Sequence, residues 1–402
     1  MNLNLYHNLK NIFLNNYKQP ILLSKSFEKR LKKELKNLIA KNLFREPITF
    51  NKNFLNLATN DYFLLRHNRK LLDAADILAR EYGTGSGGSP LLSGYLPCHQ
   101  TLINTLLDWK FKKFGMLYNS GFMANQALIK NLPGGNDLIL VDRFIHHSIA
   151  QALNRGSAKF KRYNHLDLCH LEELLSKNVN KYDTVFVITE SIFSMDGDYP
   201  DLNLLVELKK KYHFILILDE AHGTGVLGNS GAGLAEETGT SKDIDIIIGT
   251  FGKSLAGMGA YVLTNSLPII EYMTNKAGEY IYSTFLSPHQ AGVALASIDI
   301  IKSAHKKRES LKQISCWFRN RLVQYVDVDT HYETPIIPLI VGSNDSTLKL
   351  QRLFLNEGII VGAVRPPTVP QGSSRIRFSL HSELSKEDLG PIISIVKEWS
   401  KK

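Results

Sequence analysis

The sequence predicts an α/β protein in which a large domain on a mainly parallel sheet precedes a smaller C-terminal α/β domain. Three observations carry this. Between residues 56 and 290, short β-rich runs alternate with helical stretches, the pattern of βα units with helices on both faces of a sheet. The runs are strand-sized, far too short to cross a bilayer. Several of them end on a polar residue (Asp142, Glu190, Asp219, Thr250), at the carboxyl ends of the strands, beyond which open parallel sheets bind ligands.

In chain order, residues 1–55 are rich in Lys and Asn, and SFEKRLKKELKNLIAKNL (26–43) has helical periodicity, so an N-terminal helical arm is expected. Residues 56–290 hold DLILVD (137–142), TVFVITE (184–190), FILILDE (214–220), DIIIGTF (245–251) and GAYVLT (259–264), each expected as a strand. From 291 to 402 come a long helical pattern (to residue 322), three strand candidates, IIPLIVG, GIIVGAV and RIRFSL, and a final helix. No internal repeat is seen.

The chain has 402 residues, 44% apolar and 21% charged, which suits a globular protein with a large core rather than a fibre or a disordered chain. Residues 1–18 lack an apolar h-region and a small-residue cleavage site, so no secretion signal is expected and the protein is placed in the cytoplasm, with no membrane span. Cys98, Cys169 and Cys316 stand far apart without metal-ligand spacing, which argues against a disulfide framework and against a metal site. The net charge of +10 is spread along the chain, with clusters at 29–36 and 305–312 on helical patterns that read as solvated faces or as docking points for an acidic partner. No nucleic-acid-binding module is found.

Two phosphate-loop look-alikes fail on spacing. IIIGTFGKS (246–254) would need a glycine at position 247 to form a nucleotide-binding loop, and that residue is Ile247. GTGSGG (83–88) matches a dinucleotide fingerprint by letter but follows a helical pattern, where a strand is required.

A different chemistry explains the same residues. Asp219 ends an apolar strand and should stay ionised only beside a cationic partner. Lys253 follows another such strand, where a desolvated amine can lose its proton and attack a carbonyl. A lysine nucleophile and a buried aspartate together describe pyridoxal 5′-phosphate (PLP) chemistry: a Schiff base on Lys253, with Asp219 holding the pyridine nitrogen. The phosphate would sit at the start of a helix in NSGFMANQAL (119–128), on the free N–H groups around Gly121 and Phe122, with the Thr250 hydroxyl as a further donor.

With those residues in place, the ordered blocks NDY (60–62), YGTGSGGS (82–89), SGY (93–95), SGFMANQA (120–127), DRFIHHS (142–148), ESIFSMDGD (190–198), DEAHGTGVLG (219–228), GTFGKS (249–254), IYST (281–284) and RPPTVPQGSSRIR (365–377) resemble the α-oxoamine synthases. The resemblance spans roughly residues 55–380. It implies a PLP-dependent transferase fold of type I with a seven-stranded sheet, and decarboxylative condensation of a small amino acid with an acyl thioester. The SGGS, SMDGD and RPPTVP wording is most similar to members that join L-alanine to a pimeloyl thioester in biotin synthesis; relatives using glycine or serine share the same machinery.

Residue by residue, the resemblance implies that Lys253 carries PLP and shuttles the α-proton, Asp219 pairs with the ring nitrogen, His222 bonds the phenolic oxygen and His146 stacks on the ring and meets substrate. Thr250, Ser194, Gly121 and Phe122 would hold cofactor oxygens, and Glu190 would position the ring or His146. Thr284 resembles a residue that reaches the phosphate of the other subunit, which implies a homodimer with shared sites. For the substrate carboxylate, Arg377 is favoured for its planar fork, with Arg375 on the same strand face as the alternative. Thr368 and Arg45 resemble substrate contacts. The acyl donor is coenzyme A or an acyl carrier protein. Three departures from the family pattern stand away from the cofactor contacts: Leu64 where glycine is usual, Pro90 after SGGS, and LINTLLDW (102–109) without the acidic residue that the family usually places after His99.

Overall fold

A computed structural model describes residues 24–401. The reading of residues 1–18 as free of a secretion signal lies outside these. The chain divides into one unit ending at Thr49 and a second beginning at Phe50. In the first, the helix Lys25–Ala40 is built from strong helix formers and buries none of its side chains. Phe27, Leu31 and Leu35, four residues apart, share one face of it and are exposed. Among the described residues, no helix is long and apolar enough to cross a membrane.

The second unit is built on two sheets. The larger has seven strands: β2 (Phe114–Tyr118), β3 (Leu138–Asp142), β4 (Lys159–Tyr163), β5 (Val185–Glu190), β6 (Ile215–Asp219), β7 (Ile246–Thr250) and β8 (Ala260–Thr264). Their order is β2-β8-β7-β6-β5-β3-β4. Only β8 runs against its neighbours, so the sheet is mainly parallel, as the type I fold requires. Strands β3, β5 and β8 are buried at every residue and read in sequence as unbroken apolar runs, because helices cover both faces. Each fully buried Ile, Leu or Val side chain contributes about 1.5–3 kcal/mol.

The smaller sheet, of order β1-β10-β11-β9, joins β9 (Ile336–Gly342), β10 (Ile359–Val364) and β11 (Ser374–Ser379) from the C-terminal part. Its fourth member, β1 (Leu55–Leu57), pairs parallel with β10 and brings the following NDY segment towards β11. The main-chain bond from Ser382 N–H to the Tyr62 carbonyl (2.9 Å) and the Ser379 hydroxyl bond to the Thr59 carbonyl (2.5 Å) fix that approach. Residues far apart in sequence thus meet at the carboxyl end of the large sheet.

Candidate active site

Glu190 and Asp219 end neighbouring parallel strands and stand directly opposite each other in register. Both are buried. Asp219 keeps its oxygens occupied: Oδ2 accepts from Asn125 Nδ2 (2.9 Å) and Oδ1 from the Ala221 N–H (2.9 Å). Glu190 has fewer donors, and burial, reinforced by the Asp219 charge, pushes its carboxyl well above the usual carboxylate range. It accepts the backbone N–H of His146, anchoring the loop after β3.

A hydrogen-bonded chain links these groups. His146 Nδ1 lies 2.7 Å from Ser148 Oγ, which accepts from Asn125 Nδ2 at 3.0 Å, and the same amide holds Asp219. The orientation of the His146 ring is therefore coupled to that of the aspartate. Surrounding protein, with Lys253 adding to it, lowers the His146 pKa, so the imidazole is neutral near pH 7.

Lys253 lies in the bend after β7, two strands from Glu190. Desolvation pulls its pKa down to about 8, opposed by the charges of Asp219 and Glu190. An amine in that range is partly neutral at physiological pH and can act as nucleophile or base. His222 is buried beside it, with Nδ1 2.7 Å from the Tyr62 hydroxyl. Burial first, then the charges of Lys253 and Arg377, push its pKa far down, so it is a neutral ring with a fixed phenol partner.

Arg375 and Arg377 differ in what they hold. Arg375 Nη1 pairs with the carboxylate of Asp196 at 2.5 Å. Arg377 meets only neutral acceptors among its hydrogen bonds: the Ser194 carbonyl from Nε (2.6 Å) and Asn60 Oδ1 from Nη2 (3.2 Å). Both guanidinium groups are buried. Arg377 thus brings an uncompensated positive charge to the same pocket as Lys253 and His222, whereas Arg375 is neutralised by its partner.

A helix N-terminus stands beside the end of β7. The helix Gly121–Asn131 is capped by Ser120, whose side chain accepts from the Met123 N–H. Its first turn faces Thr250: a Cβ built on Gly121 would lie 3.5 Å from Thr250 Cβ. A larger residue there would fill the gap between the helix N-terminus and the strand end. Asn119 Nδ2 donates to the Thr284 carbonyl (2.6 Å) and to Ser283 Oγ (3.1 Å), so IYST lies against the same N-terminus. Phe122 is exposed at this rim.

The structure therefore gathers Lys253, Asp219, Glu190, His146, His222, Ser194, Arg375 and Arg377 around one end of the sheet, with Gly121, Thr250 and Thr284 beside the helix start. Thr368 is exposed in the turn after β10. Arg45 belongs to the first unit, in the irregular stretch after its helix. Sequence reasoning assigned no role to Asn60, Tyr62, Asn125, Ser148 or Asp196, although all stand inside quoted blocks. Asn125 carried a signal: a polar amide one turn after Gly121 on a buried helix.

The chain is similar to known proteins over most of its length. The family described as aminotransferase class I and II matches residues 52–395. A protein of Bacillus cereus (strain Q1) named putative 8-amino-7-oxononanoate synthase is 39% identical over 351 residues, covering 86% of this chain and 89% of its own. Among solved structures, 8-amino-7-oxononanoate synthase from Francisella tularensis superposes with a TM-score of 0.76 at 27% identity, covering 87% of this chain and 99% of that one. A serine palmitoyltransferase from S. paucimobilis with bound PLP–myriocin aldimine gives a TM-score of 0.86 at 23% identity over 94% of this chain and 98% of that one, a likeness of fold.

Proposed function

Since this chain belongs to the aminotransferase class I and II family and, within it, to the α-oxoamine synthases, we propose that it condenses L-alanine with a pimeloyl thioester, releasing CO2 and the free carrier thiol, to give 8-amino-7-oxononanoate. The observation that carries the reading is the asymmetry of the two arginines, which leaves one uncompensated guanidinium beside a lysine of lowered pKa. That arrangement suits an amino acid: a carboxylate for Arg377 and an α-carbon within reach of the Lys253 amine.

The residues present fit PLP. Gly121 leaves room at a helix N-terminus for a phosphate, Thr250 adds a hydroxyl, and Asp219 is held by two donors. When bound, PLP supplies an aldehyde for amines and a ring that takes up an electron pair. Asp219 would hold the proton on the ring nitrogen, Ser194 and Phe122 would line the cofactor, and neutral His222, fixed by Tyr62, would donate to the phenolic oxygen. His146 would cover the ring face, oriented through Ser148 and Asn125. Lys253, with a pKa near 8, would take the α-proton from the amino acid and return it to the product. Thr368 would meet the substrate at the rim.

The same reading makes the protein a homodimer, Thr284 reaching the partner's phosphate. The segments around this end expose Leu92 (86%), Tyr282 (85%) and Met258 (58%), apolar side chains that a partner would cover. Sedimentation should give twice the chain mass. The decisive assay supplies PLP and measures CO2 release with alanine, glycine or serine against pimeloyl on coenzyme A and on acyl carrier protein. Alanine with a pimeloyl donor should turn over fastest. Faster turnover with glycine or serine, or with another acyl chain, moves the protein to the corresponding relatives.

A further inference from the structure

Outside the residues assigned so far, one partly buried cluster has no role. His165, in the loop between β4 and the helix Leu168–Asn178, places both ring nitrogens on carboxylates: Nδ1 lies 2.8 Å from Asp142 Oδ1 and Nε2 lies 2.9 Å from Asp198 Oδ2. A neutral imidazole has one N–H, so only the imidazolium donates to both. The ring is enclosed by Phe144 (centroid distance 4.6 Å) and by the edge of Phe193 (4.5 Å). Asp142 also accepts the N–H groups of Phe144 and Leu166, at 2.8 and 2.9 Å.

The two carboxylates belong to different loops of the site. Asp142 begins the loop that carries His146; Asp198 closes the loop that carries Ser194 and Asp196, the anchors of Arg377 and Arg375. We propose that His165 is a positioning residue: its doubly donating imidazolium ties the His146 loop to the Ser194–Asp196 loop and so sets the spacing between the cofactor-covering histidine and the arginine that receives the substrate carboxylate. The other titratable groups facing the clamp are Tyr163 and Glu190 beside Asp142, and Tyr332 and Arg319 beside Asp198. The two hydrogen-bonded carboxylates outweigh the desolvation of the ring and push its pKa up to about 10. The inference rests on the functional reading above for its consequence and on geometry alone for the charge state.

The test has two arms. In the full-length protein, the ring 15N and 13C shifts of His165 should report an imidazolium at pH 8, where an ordinary histidine is neutral; a ring that is neutral at pH 8 overturns the proposal. In the second arm, His165→Gln and Asp198→Asn proteins are loaded with PLP, and alanine binding is read from the change in the cofactor absorption band. Apparent alanine affinity should fall about tenfold to a hundredfold, the scale of an ångström-sized misplacement, with the PLP content kept. Wild-type alanine affinity in both variants overturns the proposal, as does loss of cofactor in equal measure. Neither arm needs acyl transfer. A wild-type protein that binds alanine but turns over no pimeloyl thioester therefore refutes the functional reading and leaves this one standing.

Discussion

Two half-buried cations at the same end of the sheet are tuned in opposite directions. The His165 ring gives both its N–H groups to carboxylates at hydrogen-bond distance, and its pKa rises to about 10. Lys253 is surrounded by acidic residues too, yet among the described residues it forms no ion pair within 4.0 Å, and desolvation lowers its pKa to about 8. Proximity to negative charge is common to both. The difference is whether the charged form gains hydrogen bonds: one cation is held charged, the other is left partly neutral.

The largest expected effect falls on the reactive side. Lys253→Ala should cost about a thousandfold or more in turnover while leaving the circular dichroism spectrum unchanged. Next, Asp219→Asn keeps the shape but removes the charge and one of the two accepted hydrogen bonds, and kcat should fall about a hundredfold. Substitution of the arginines sharpens the contrast between a paired and an unpaired cation. Arg377→Ala should raise the KM for alanine about tenfold to a hundredfold with little loss of PLP, whereas Arg375→Ala, which strands Asp196, should lower the melting temperature more than it raises KM. Equal KM changes for the two would erase the distinction.

The pH dependence separates the two cations directly. Formation of the cofactor adduct requires neutral Lys253, so its rate should rise with pH up to about 8 and then level. His165 has the opposite sign. Its folded pKa lies above the unfolded value of 6.5, so the clamp's contribution to stability is complete below about 6.5 and is lost as pH rises through about 10. Chemical denaturation of wild-type and His165→Gln protein at pH 6 and pH 10 should show the difference between them shrinking at the higher pH. The smallest effect concerns Leu64, which adopts φ 51° and ψ 41°, a left-handed conformation costly for a residue with a Cβ. Leu64→Gly should change stability by less than about 1 kcal/mol, strain relief offsetting the entropy of glycine.

What the sequence revealed tracks burial. Strands β3, β5, β6, β7 and β8 lie inside the sheet and were readable as apolar runs. β2 and β4 are its edges, and β4, KFKRY, is largely exposed, so no such run marks it. β1 is three residues long and is defined by pairing with β10, a contact over 300 residues away in sequence that no local pattern encodes. The residues proposed to hold the cofactor were legible because that chemistry constrains residue type: a lysine and an aspartate at strand ends. Arg377 was favoured but Arg375 stayed open as the alternative, since both share a strand face and the pairing with Asp196 that sets them apart is not visible in the sequence. His165 lies in no quoted block, and its meaning exists only once Asp142 and Asp198 converge on it.

The most direct test is chemical. The protein, loaded with PLP, is reduced with borohydride and its peptides are mapped. A pyridoxyl group fixed to Lys253 is the expected result; a label on another lysine, or none on a protein that still folds, would contradict the assignment of this pocket.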